Sequence, residues 1–86
     1  MASSSDIRKL YKAFSDSPAF HAQVRDAKTP QEKHQIIRNA GHVPVKGAEV
    51  QAELAKALPP TTPEDQEFVG HVVNLASADG SIVNED

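Results

Sequence analysis

Thr29-Pro30-Gln31-Glu32 and Asn39-Ala40-Gly41 bracket a segment with a clear start and stop for one helix. Thr29 has the side chain of an N-cap, Pro30 has the fixed φ that suits a first helical position, and Glu32 stands where the second half of a capping box is found. Ile36, Ile37 and Ala40 then fall at helical spacing, and Gly41 is able to take the left-handed conformation that ends a helix. A helix of about twelve residues is predicted here.

Working outward, Ser17-Pro18 repeats the cap-and-proline start ahead of Phe20, Val24 and Ala27, the narrow apolar stripe of a second helix. Upstream, Ile7, Leu10, Tyr11 and Phe14 recur at i, i+3, i+4 and i+7 with Arg8, Lys9 and Lys12 opposite, so residues 5–15 read as an amphipathic helix. Downstream, Pro44 pushes Val43 out of helical geometry, and His42-Val43-Pro44-Val45-Lys46-Gly47 becomes a connector whose two valines are expected to tuck beneath the helices. A fourth helix is expected from about Ala48 to Leu58, with Val50, Leu54, Ala57 and Leu58 inward, until Pro59-Pro60 forbids its continuation. Pro59-Pro60-Thr61-Thr62-Pro63 reads as a stiff linker. Thr62 caps a fifth helix with Asp65 at the box position; Phe68, Val69, Val72, Val73 and Ala76 form its apolar face, and Asp79-Gly80 ends it. The fold class predicted is all-α: a small bundle of about four short helices over residues 5–58, a Pro/Thr linker at 59–63, a fifth helix at 64–79 and an acidic tail at 80–86.

The chain has 86 residues, with three Phe, one Tyr and no Trp, so aliphatic and alanine contacts must supply most of a thin core. Charge is divided along it. Residues 1–56 carry nine basic and six acidic side chains, a balance of +3, whereas residues 57–86 carry six acids and no Lys or Arg, a balance of −6. The acidic end thus has two natural counterparts, the basic domain itself or a basic groove on another protein. There is no cysteine, hence no disulfide, thiolate metal site or thiol nucleophile. The N-terminus lacks the basic start and apolar run of a signal peptide, and no stretch has the length of a membrane span, so a cytoplasmic protein is expected.

Motifs that carry chemistry are scarce. His21, His34, His42 and His71 include no pair four apart to present zinc ligands on one helix face, and each is expected at the surface or a helix end. Gly41, Gly47, Gly70 and Gly80 are isolated, so no phosphate loop is present, and the serines have no neighbouring His and acid. No catalytic, cofactor or metal residue is predicted. Asp79-Gly80-Ser81-Ile82 is similar to the middle of a calcium loop, but its first ligand position would fall on Leu75, which has no side-chain oxygen. Drawn as a helix-turn-helix, the third and fourth helices have too long a turn, and the recognition helix would carry Glu49 and Glu53 against Lys56 alone. Neither calcium nor nucleic acid is the expected ligand.

The order of features from about residue 5 to 56 resembles the Nif-eleven-type domain, a family of small bacterial proteins that also supplies leader segments of ribosomally made, post-translationally modified peptides. The resemblance rests on the amphipathic first helix, Asp16-Ser17-Pro18, Ala27-Lys28-Thr29-Pro30-Gln31-Glu32, Ile36-Ile37-Arg38-Asn39-Ala40-Gly41 and Glu49-Val50. It implies a non-catalytic leader, gripped by a peptide-modifying enzyme or peptidase-transporter and itself monomeric. By position, Leu10, Phe14, Phe20, Val24, Pro30, Ile36, Ala40, Gly41, Glu49 and Val50 would pack the domain, and Phe68, Val69, Val72 and Val73 of the last helix would meet the partner. The chain departs from the family pattern in a longer connector, in His42 where an aromatic usually follows the glycine, and in lacking a Gly-Gly or Gly-Ala cleavage doublet. Without Cys, lanthionine formation is excluded. Three versions stay open: residues 77–86 as a short core peptide, a core peptide lying further downstream, or a stand-alone adaptor of the same fold.

Overall fold

The computed structural model describes residues 3–75. They form five helices, α1 (Ser4–Asp16), α2 (Pro18–Asp26), α3 (Pro30–Asn39), α4 (Gly47–Ala57) and α5 (Pro63–Asn74), with no strand among the described residues. The helix starts follow the cap chemistry. Ser3 and Asp6 close a full capping box at α1, each side chain 3.1 Å from the other's backbone N–H. Ser17, Thr29 and Thr62 accept the third-residue N–H groups of Phe20, Glu32 and Asp65, each with Pro as the first helical residue. Two box partners depart from expectation. Glu32 accepts from the Lys28 N–H rather than from Thr29, and Asp65 leaves its own helix start to pair with Arg8. At α4 the box is made by Glu49, which accepts from the Lys46 N–H at 3.1 Å.

α3 stops at Asn39 by a Schellman motif: Gly41 has φ +85°, its N–H donates to the Arg38 carbonyl and the His42 N–H to the Ile37 carbonyl. α5 is described to Asn74, with Leu75 as its C-cap. The Asp79–Gly80 stop, the calcium-like stretch and the acidic tail lie outside the described residues.

α1 is the central helix, packed on α2, α4 and α5; α4 and α5 pack on each other, and α3 packs on α2 alone. One core holds Ile7, Leu10, Tyr11 and Phe14 of α1 with Val24, Ile37, Val45, Val50, Ala57, Phe68 and Val72. The fifth helix is therefore integral to the bundle and the linker works as a tight corner, with a cis peptide bond between Leu58 and Pro59. The aromatic rings form one continuous series: Phe68 meets Tyr11 edge-on at 6.0 Å, Tyr11 meets Phe14 at 5.4 Å, Phe14 meets Phe20 at 5.1 Å, and Phe20 stacks on His42 at 5.9 Å.

Several inward assignments change. Leu58 is 50% exposed, because the chain leaves helical geometry there and turns away from the core. Ala40, the C-cap of α3, is exposed. Of the connector valines, Val45 is fully buried and Val43 is 41% exposed. His34, expected at the surface, is buried beside Ile37 on the inner stripe of α3.

Candidate functional site

Phe68 and Val72 lie in the shared core, and Val69 is half-buried against it. Their packing fixes α5 onto α1 and α4. Of the four residues expected to meet a partner, only Val73, 62% exposed, presents most of its side chain.

A groove lies elsewhere, between α3 and α4. No Cα of α3 comes within 8 Å of one in α4, although the two are consecutive helices. Between them runs a groove of about 720 Å³. That volume is within the range of about 300–1,000 Å³ that ligand sites occupy. Ile7 and Ser4 of α1 form its floor, and the exposed Val43, the half-buried Pro44 and the exposed Ala52 give it apolar walls. Its rims are cationic: Arg38 on the α3 side, Lys46 and Lys56 at opposite ends of α4. Glu49 and Glu53 are the carboxylates along the same side of α4.

Glu53 is already committed. It is 2% exposed, and its Oε2 accepts from the Ser4 hydroxyl and, at 2.8 Å, from Arg8 Nε. Burial by itself would raise this carboxyl; the Ser4 and Arg8 hydrogen bonds outweigh burial and hold it below the ordinary glutamate range. Arg8 also pairs with Asp65 Oδ1 at 2.9 Å and lies 5.3 Å from the centre of the Phe68 ring, so one guanidinium joins α1, α4 and α5. The face of α1 expected to be solvated thus carries the polar clamp of the bundle. A spacing signal existed for it: Glu53 stands i+3 from Val50 and i−4 from Ala57, and Arg8 stands i−3 from Tyr11, all buried positions.

A second, smaller groove of about 510 Å³ lies between α2 and α3, walled by Phe20, Ala27, Ile36 and Ala40 and rimmed by Asp26 and Glu32. His21 stands near it with its ring 5.8 Å from Phe14 and its Nε2 buried without a hydrogen-bond partner; burial, then the nearby Arg25 charge, pushes its imidazole below the usual value. Among the described residues no three His, Asp or Glu side chains gather as metal ligands, and no helix is long and apolar enough to cross a membrane. No family model matches the chain, and no characterised protein or solved structure matches it either.

Proposed function

We propose that this chain is a non-catalytic recognition domain, the leader part of a ribosomal peptide precursor that a modifying enzyme grips. The observation that carries the recognition reading is the separation of α3 from α4, which leaves an open groove with apolar walls and cationic rims. A domain whose core is satisfied elsewhere offers that groove ready-formed, at little ordering cost to the complex. The leader version draws on the resemblance of residues 5–56.

A stand-alone adaptor of the same fold is the second reading. The packing of Phe68 and Val72 favours it, because residues 63–75 return to the core instead of trailing as a substrate. The two separate by intact mass. The full-length native gene product, co-expressed with its genomic neighbours, shows a defined mass shift mapping beyond Pro63 if it is a leader; an unchanged mass with a co-purifying neighbour supports the adaptor, and an unchanged mass with no associated protein overturns both.

A further inference from the structure

We propose that the α3–α4 groove receives an acidic, amphipathic helical segment of a partner protein, an inference that rests on the recognition-domain reading and names the chemistry of its partner. The groove is bounded by two helices whose Cα atoms nowhere come within 8 Å of each other, so α3 and α4 leave their facing sides open to an incoming segment. Lys46 and Lys56 are ten positions apart on one side of α4, a span of roughly 15 Å or three turns, which sets the length of the occupant. Its apolar face meets Val43, Pro44 and Ala52.

Charge decides what the polar face carries. Arg38 and Lys46 form no ion pair with a described residue. The acids beneath them are engaged: Glu53 by Ser4 and Arg8, and Glu49 by the Lys46 N–H. Arg38, Lys46 and Lys56 against Glu49 and Glu53 leave the lining one positive charge in excess, with Glu53 already bonded to Arg8, and carboxylates at both ends of a three-turn helix answer it. The α2–α3 groove, rimmed by Asp26 and Glu32, has the opposite polarity and serves as an internal comparison.

The test uses the full chain, isotope-labelled for NMR, and two synthetic 14-residue helical peptides with leucine on one face and either glutamate or lysine on the other. The proposal expects the glutamate peptide to shift the amides of Val43, Lys46 and Ala52 and to lose at least tenfold in affinity as salt is raised. It expects Lys46→Glu/Lys56→Glu to weaken binding at least tenfold, Lys46→Gln/Lys56→Gln to weaken it less, and Lys9→Glu/Lys12→Glu, which makes the same charge change on exposed lysines of α1, to leave it within twofold. Equal or tighter binding of the lysine peptide overturns the proposal, as do shifts confined to Phe20, Asp26 and Glu32, or no binding at millimolar peptide. Dimerisation through these residues would assign the groove to a second copy, and tighter peptide binding after Asp79→Asn/Glu85→Gln/Asp86→Asn would assign it to the chain's own end; either result overturns the proposal. The mass measurement reads modification and this titration reads the groove, so an unmodified chain that binds the glutamate peptide fails the leader reading alone.

Discussion

Gly41 and Gly70 show how the same substitution takes opposite signs. At neither position would an added Cβ meet an atom within 4 Å, so only the backbone matters. Gly41 sits at φ +85° and Gly70 in the interior of α5. Gly41→Ala should lower stability by about 1 kcal/mol, whereas Gly70→Ala should raise it by about 0.5–1 kcal/mol, read as shifts of the urea midpoint in opposite directions. Equal signs would contradict the Schellman end of α3. Glu53 makes a pH-dependent prediction. Its carboxyl is held below the ordinary value near 4.5 in the folded chain, so as pH falls the unfolded chain binds this proton first. The stabilisation is complete at neutral pH, declines as pH falls through the glutamate range and is gone below the folded value. Glu53→Gln should cost about 2 kcal/mol at pH 7 and less at pH 3, because Arg8 loses its buried partner only while that partner is charged. A wild type and variant that differ equally at pH 7 and pH 3 would contradict the clamp. The cap residues and Gly41 were legible because each acts within one turn of itself. For the Arg8–Glu53–Asp65 clamp, spacing marks Glu53 and Arg8 beside buried positions but does not say that they meet, because Arg8 is 45 or more positions from both of its partners.

At the scale of elements, helix starts depend on local hydrogen bonds and helix neighbours on the whole core. Thr29→Ala removes the acceptor of the Glu32 N–H and should cost about 1 kcal/mol. α3 packs on α2 alone, whereas α1 packs on three helices, so α3 should open at lower free energy. Native-state hydrogen exchange should find the Ile36 and Ile37 amides exchanging before those of Leu10 and Tyr11, and Thr29→Ala should widen the difference. Uniform exchange across both helices would mean that α3 is held by more than its contact with α2. All five helices were readable from capping and periodicity. The gap between α3 and α4 was not, since periodicity names a buried stripe without saying which helix covers it. Val43 and Leu58 show the same limit: apolar side chains next to prolines read as inward, but the backbone turn carries both outward.

Across the whole molecule, the three phenylalanines and the tyrosine form one series from α5 through α1 to α2, and His42 caps its end. Phe14 is the member that joins α1 to α2, and Phe14→Ala should cost about 3–4 kcal/mol in chemical denaturation. A variant of unchanged stability would remove Phe14 from the core. A chain with so few large side chains closes a five-helix core only by drawing Phe68 and Val72 into it, so α5 is occupied by packing, and the recognition surface we propose is the α3–α4 groove instead. The resemblance over residues 5–56 pointed to a partner but placed its contact on α5; the groove emerges only when α3, α4 and the floor from α1 are assembled. The most direct measurement is the intact mass of the full-length gene product co-expressed with its genomic neighbours, wild type beside Lys46→Glu/Lys56→Glu. The account predicts a mass shift beyond Pro63 in the wild type that is absent from the variant; equal modification of both would contradict recognition through this groove, and modification of neither would contradict the leader function.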